Sequence, residues 1–319
     1  MALNTKSLDS AAVKWALIIN LSADSFSGDG VPANQTSSFQ TLRSRLDSLL
    51  PMQMDWIDVG AVSTRPGSHP VRPDDEWQRL EPALKLLAAF KVRRKADGRA
   101  IMISLDTTSP MVAKRAARMG IIDIINDVWA GRKTESGFTT LDVAAEHGCA
   151  MVLMHMLGEP GTMQQAPRYQ NCIVEVQQFL RERCAAAQKA GVPRIYVDPG
   201  IGFGKDLGHN LELLSIPSLA ALALIAREQE VPAGVLIGLS RKRFIHQLAL
   251  LNKDPSAQLL EDPAHRDAAT KEFECQCIDR FDDPRLGPNK PELVIRSHRM
   301  PAEVPLASHR LLETKTHGL

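Results

Sequence analysis

"RIYVDPGIGFGKD", residues 194–206, sets a short β-branched and aromatic run against an acid and three alternating glycines. Ile195, Tyr196 and Val197 read as a buried strand, which puts Asp198 at its carboxyl end. The glycines that follow are not a familiar phosphate loop. Gly200 and Gly204 enclose three residues where a Walker loop needs four, and Asp206 follows Lys205 where that loop needs Ser or Thr. No glycine stands three after Gly202, so the dinucleotide fingerprint fails as well. What is left is a strand ending in a carboxylate, and the question of which sheet holds it.

The same grammar recurs along the chain. "KWALIIN" (14–20), "MDWIDVG" (54–60), "AIMISLD" (100–106), "IIDIIND" (121–127), "AMVLMH" (150–155), "GVLIGLS" (234–240) and "ELVIRSH" (292–298) are short apolar runs with polar endings. Between them lie stretches that place apolar residues on one helical face, such as "EWQRLEPALKLLAAF" (76–90), "NLELLSIPSLAALALIAREQ" (210–229) and "RDAATKEFECQCIDRF" (266–281). Eight strands alternating with helices predict a single-domain α/β fold, a (β/α)8 TIM barrel whose active site forms at the carboxyl ends of its strands. Asn20, Asp58, Asp106, Asn126, His155, Asp198, Ser240, Arg296 and His298 are then expected on one rim. Any one of them reads equally as a turn former or helix cap. As a set they argue for a site, because buried polar groups without partners cost about 1–3 kcal/mol each.

The remaining composition narrows the class. The chain has 319 residues, 44% hydrophobic and 24% charged, with a formal net charge of +1. That balance describes a globular protein and gives no nucleic-acid or membrane surface. Five scattered cysteines, Cys149, Cys172, Cys184, Cys275 and Cys277, suit reduced thiols and a cytoplasmic location. No apolar run approaches the ~20 residues of a membrane span, and "MALNTKSLDS" does not read as a signal.

The motif blocks resemble the dihydropteroate synthase family. "INLSADSFSGDG", "IDVGAVSTRPGSHP", "SLDTTSPMVAKRAARMGIIDIINDV", "LMHMLGEPGTMQ", "DPGIGFGKDLGHNLELL", "IGLSRKRFI" and "VIRSHRM" follow in that family's order, from about residue 15 to about 300. The resemblance implies condensation of 6-hydroxymethyl-7,8-dihydropterin pyrophosphate with p-aminobenzoate to 7,8-dihydropteroate and pyrophosphate in folate biosynthesis. It implies a transferase, a sulfonamide target, with these small molecules as partners, Mg2+ as cofactor and a possible homodimer.

The resemblance also assigns residues, and their chemistry is suited to the task. Asp198 would accept from the pterin's adjacent N–H donors, as a carboxylate can do in bidentate fashion. Asp106, Asn126, Met154, Gly202, Phe203 and Lys242 complete the pterin site, with the glycines of the loop letting backbone approach the ring. Phe26, Thr64, Arg65, Pro66 and Ser240 would hold p-aminobenzoate. Asn20, Arg65, Arg296 and His298 would hold the pyrophosphate, with Asn20 helping to hold the metal. Asp106, Lys242, Arg296 and His298 are expected to carry the catalysis.

Several positions depart from the family pattern. Ala23 stands for a proline, Val62 for a glutamate, Arg243 for a serine and Arg299 for an aspartate; the two arginines are expected to add positive charge near the mouth. "DPRLGPNKPE" (283–292) reads as an inserted loop, near 281–292. The expected domain plan is an N-terminal extension (1–14), the barrel (15–313) and a C-terminal tail (314–319). The runner-up readings are a corrinoid-linked folate methyltransferase on the same barrel and a catalytically silent pterin binder.

Overall fold

A computed structural model describes residues 13–21, 35–62, 71–158, 163, 167–252, 255–286 and 289–304. Eight parallel strands close into a barrel in chain order: β1 (Val13–Asn20), β2 (Trp56–Gly60), β3 (Met102–Asp106), β4 (Ile124–Asp127), β5 (Ala150–Met154), β6 (Ile195–Asp198), β7 (Ala233–Ile237) and β8 (Glu292–Ser297). β1 pairs with both β2 and β8, which closes the ring. The N-terminal extension and C-terminal tail expected from the sequence lie outside the described residues, except for Val13 and Lys14, which open β1.

Helices α1 (Gln35–Leu49), α2 (Pro73–Ala96), α3 (Pro110–Ala117), α4 (Thr140–His147), α5 (Cys172–Ala190), α6 (Leu207–Leu213), α7 (Ile216–Arg227), α8 (Arg243–Leu251) and α9 (Pro263–Phe281) follow the strands. Their starts are written locally. Ser109, Asn171 and Asp262 each accept from a backbone N–H of the first turn, and Thr139 forms a reciprocal capping box with Asp142. Each such cap satisfies a donor that a helix start leaves unpaired and is worth ~1 kcal/mol.

Two helical expectations need correction. The run at 210–229 is two helices meeting at 58°, because Ser215 caps a new start with Pro217 in its first turn. α8 is absent from the sequence expectation; it begins directly after Lys242, which offers no side-chain cap. The expected insertion holds a short 3-10 turn, Pro284–Leu286, before β8; Gly287 and Pro288 lie outside the described residues. Among the described residues no single helix is long and apolar enough to cross a membrane.

The core has two parts. A large cluster fills the space between strands and helices. A smaller one, Ala16, Trp56, Ile124, Ala150, Val152, Tyr196, Leu236 and Val294, plugs the barrel itself. Trp56 and Tyr196 meet edge to face at 4.7 Å, and Gly234 makes room, since a Cβ there would stand 2.8 Å from the Tyr196 ring. Burying each ring removes roughly 150–250 Å² from water, on the order of 4–6 kcal/mol gross at about 25 cal/mol/Å². With its floor filled in this way, the barrel is a packed core with its chemistry at the carboxyl ends of the strands.

Candidate active site

Strand alternation decides which polar endings reach the mouth. Side chains two apart share a face, so the plug residues Trp56, Ile124, Tyr196 and Val294 predict that Asp58, Asn126, Asp198 and Arg296 also point inward. The hydrogen bonds agree. Ser104 Oγ donates to Asp58 Oδ1 at 2.5 Å, Asn126 Nδ2 to Asp58 Oδ2 at 3.1 Å, and Arg296 Nε to the same oxygen at 2.6 Å. Arg296 Nη2 donates to Asp106 Oδ2 at 2.7 Å. One guanidinium therefore bridges two carboxylates from neighbouring strands. Gly60, paired with Asp106 in the β2–β3 register, leaves room for it; a Cβ at 60 would sit 3.1 Å from Asp106 Cβ.

The charges in this ladder act on one another. Burial pushes the Asp106 carboxyl up to about 7, opposed by Arg296 and reinforced by Asp58. Burial also works against the charge of Arg296, but Asp58 and Asp106 outweigh it and hold the guanidinium above its ordinary range. Asp198 is raised by burial, while the Gly200 N–H, 2.7 Å from its Oδ1, and Lys242 and Arg296 pull it back. Asp198 and Arg296 each follow a plug residue, Tyr196 and Val294, by two positions and so face inward above the same plug.

Asp198 stands beside Met154 in the β5–β6 register. Met154 is 3% exposed and belongs to neither core cluster; it packs with Val128, Met156, Met163, Trp129 and Phe203 in a separate apolar wall at the mouth. Lys242 Nζ lies 4.0 Å from the centre of the Phe203 ring. Across the mouth, Asn20 Nδ2 lies 3.4 Å from His298 Nε2, and His298 Nδ1 lies 2.9 Å from Ser240 Oγ. The His298 backbone N–H donates to Ser240 Oγ at 3.2 Å.

The glycine loop has a different cause from the one expected. A Cβ at Gly200 would stand 1.9 Å from His155 O and one at Gly204 2.5 Å from Leu157 O, so these two glycines fit the loop against the segment after β5. Gly202, whose Cβ would meet Lys242 Cδ at 3.0 Å, and Gly200, whose Cβ would also stand 3.3 Å from Met154 Cγ, are the two that border site residues. All three have positive φ, which glycine adopts without strain.

His155 does not join the rim. It follows Met154, so it faces outward, edge-on to Phe179 at 5.0 Å and accepting through Nδ1 from the buried Lys205 at 3.0 Å. Burial and the Lys205 charge push its pKa down to about 3, so the ring is neutral. Lys205 also reaches the carbonyls of His155 and Phe203, at 3.3 and 3.0 Å. Arg299 ion-pairs with Asp267 and Glu303. Arg243 is exposed on α8. Phe26, Thr64, Arg65 and Pro66 lie outside the described residues, as does Ala23.

Sequence reasoning placed Asp58 on the rim but gave it no role, although its place on the inward face of β2, two residues after Trp56, carried the signal. It also missed Arg241 and Asp267, whose pairing joins segments 26 residues apart and leaves no local pattern.

Known proteins share this arrangement of strands and motifs. The family model described as "Pterin binding enzyme" matches residues 17–280. The chain is 39% identical over 234 residues to the dihydropteroate synthase of Neisseria meningitidis serogroup C, covering 72% of this chain and 75% of that one. It is 36% identical over 245 residues to that of Escherichia coli K12, covering 76% and 77%. Among solved structures, Xanthomonas albilineans dihydropteroate synthase with 4-aminobenzoic acid superposes with a TM-score of 0.65 at 32% identity, over 91% of this chain and 88% of that one. The Thermus thermophilus enzyme in complex with 6HMPPP gives 0.60 at 29%, over 91% and 89%.

Proposed function

The chain belongs to the dihydropteroate synthase family of pterin-binding enzymes, and from that premise we propose how its barrel mouth divides the work of the family's condensation. The reaction joins 6-hydroxymethyl-7,8-dihydropterin pyrophosphate to p-aminobenzoate, giving 7,8-dihydropteroate and pyrophosphate; it is a transferase step in folate biosynthesis. The carbon–oxygen bond breaks with its electron pair leaving on pyrophosphate, the aromatic amine nitrogen attacks the methylene carbon, and the amine's proton passes to solvent.

Asp198 grips the pterin's amide edge, with Asn126 and Lys242 at its sides and Met154 and Phe203 against its face. This is supported by Asp198 pairing with Met154 of the apolar wall and by the Lys242 cation 4.0 Å from the centre of the Phe203 ring. Asp106 stabilises the developing positive charge on the methylene carbon, acting in a water-poor site where such fields are strong. Arg296 keeps two of its N–H groups on Asp58 and Asp106 and turns its remaining donors toward the pyrophosphate. Asp58 therefore sets the orientation of that clamp.

His298 and Asn20 line the pyrophosphate side, and Ser240 donates its hydroxyl proton to the p-aminobenzoate carboxylate. A sulfonamide would compete at that position. The roles of Phe26, Thr64, Arg65 and Pro66 as closing-loop contacts belong to the same proposal. Mg2+ fits the donor set, since it keeps most of its waters and takes one or two protein oxygens beside substrate phosphates; Asn20 offers such an oxygen. When bound, the ion would neutralise charge on the leaving group.

Pairing of two copies is part of the proposal, supported by Leu250 and Leu251 at the end of α8, 55% and 69% exposed; sedimentation of the purified chain reads it directly. A cytoplasmic location fits five free, buried thiols.

The observation that carries the mechanism is the bridge from Asp58 through Arg296 to Asp106 with Asp198 facing inward above the same plug. The test is incubation of purified protein with the pterin pyrophosphate, p-aminobenzoate and magnesium. Release of pyrophosphate together with dihydropteroate supports it, and pterin binding without pyrophosphate release would mark a silent binder.

A further inference from the structure

We propose that Asp267, near the start of α9, is a positioning residue that fixes the two substrate-bearing loops after β7 and β8. Arg241 holds a φ of +58°, in the left-handed region that a residue with a Cβ rarely adopts. Something must hold it there, and α9 does so twice. Arg241 Nε donates to Asp267 Oδ1 at 2.7 Å and Nη2 to Asp267 Oδ2 at 2.8 Å, while the Arg241 backbone N–H donates to Thr270 Oγ1 at 3.1 Å. The two charged side chains are 8% and 9% exposed. This two-pronged geometry fixes direction as well as distance.

The turn at Arg241 separates two groups with different tasks. Ser240, before it, reaches His298, and Lys242, after it, lies over Phe203. A change in the Arg241 backbone would swing both. The same carboxylate also holds the next loop, because Arg299, directly after His298, brings Nε to 3.5 Å from Asp267 Oδ2. Arg299 reaches on to Glu303, which pairs with Arg45 of α1. Arg299 stands where the sequence resemblance expects an acid, and in this chain the acid that meets it is on the helix. One buried carboxylate thus sets the spacing of Ser240 and Lys242 from His298.

The inference rests on the reading of Ser240 and Lys242 as substrate groups. Asp267→Asn keeps the shape and removes the charge. It is expected to raise KM for p-aminobenzoate about tenfold and to lower kcat, while calorimetric affinity for the pterin pyrophosphate, which keeps its Asp198 anchor but loses the placement of Lys242, falls by a smaller factor of about threefold. Adding Arg241→Gly, which accepts positive φ freely, is expected to recover part of the KM loss. Should Asp267→Asn fail to fold, Arg241→Lys keeps the cation, loses the fork and is expected to show the same KM shift. A wild-type KM for p-aminobenzoate in whichever variant folds, whatever its melting temperature, overturns the proposal. Ser240→Ala and Lys242→Met serve as controls: if neither alters a substrate KM, the site reading itself is at fault, and if both do while Asp267→Asn does not, only the clamp is.

Discussion

Arg296 Nε lies 2.6 Å from Asp58 Oδ2, and through this contact a buried acid on β2 governs a second acid on β3. Burial raises the Asp106 carboxyl to about 7, and the Asp58 charge adds to the rise. If Asp106 must be ionised to stabilise a cationic carbon, kcat/KM should fall as pH drops through about 7. Asp58→Asn removes the neighbouring anion, so Asp106 should ionise at lower pH and the acid limb should move down. At pH 8 the variant should still lose about 10- to 100-fold in kcat/KM, since a hydrogen bond to a charged group is worth roughly 1.5–3 kcal/mol. A pH–rate profile checks both effects, and an unmoved acid limb would refute the coupling.

Asp198→Asn should weaken pterin binding with the fold retained. The substituted amide keeps an oxygen to accept from Gly200 N but offers the pterin edge one acceptor and one donor in place of two acceptors. Loss of one charge-assisted bond predicts roughly a 10- to 100-fold weaker Kd. Calorimetry with the pterin pyrophosphate measures this. Unchanged affinity would remove Asp198 from the site.

The barrel was legible because each strand is short, apolar and closed by a polar residue, and because parallel strands need helices between them. The site was legible in part. Asp106, Asn126, Asp198, Arg296 and His298 meet at one mouth as expected, and a strand's two-residue period explains why His155, one step past Met154, does not. What escaped were relations between distant segments. Nothing near Arg299 announces Asp267, 32 residues earlier by their numbers, and nothing in "GIGFGK" says that Gly200 is pressed against the carbonyl of His155. Local pattern fixes direction within an element; contacts between loops depend on the closed ring.

The glycine loop offers a graded test of that packing. Alanine at 200 would place Cβ 1.9 Å from a carbonyl oxygen and at 204 2.5 Å from another, both at positive φ. Backbone cannot yield easily there, so both variants should lose several kcal/mol, the left-handed cost alone being about 1–2 kcal/mol. Gly202→Ala incurs the left-handed cost but meets the Lys242 side chain at 3.0 Å, which can shift. It should lose less stability and instead raise KM for the pterin substrate. Denaturant midpoints and steady-state kinetics on the three variants separate the cases, and equal destabilisation at 200 and 202 would contradict the packing argument.

Glu76, on the first turn of α2, is buried at 4% exposure and accepts from Thr107 Oγ1 at 2.6 Å. Burial raises its carboxyl from 4.5 to about 7, against the pull of Thr107. Between those two values the folded chain binds a proton that the unfolded chain has released, so stability falls as pH rises through this window and the full penalty stands above about 7. At about 1.36 kcal/mol per unit, the penalty is on the order of 3 kcal/mol. Glu76→Gln removes the titration while keeping an oxygen for Thr107. Relative to the parent chain it should gain stability from pH 5 up to about 7 and then level off, whatever constant offset its new amide N–H groups introduce. Urea melts across that range give the comparison, and a difference that stays flat with pH would mean that Glu76 is not protonated in the folded chain.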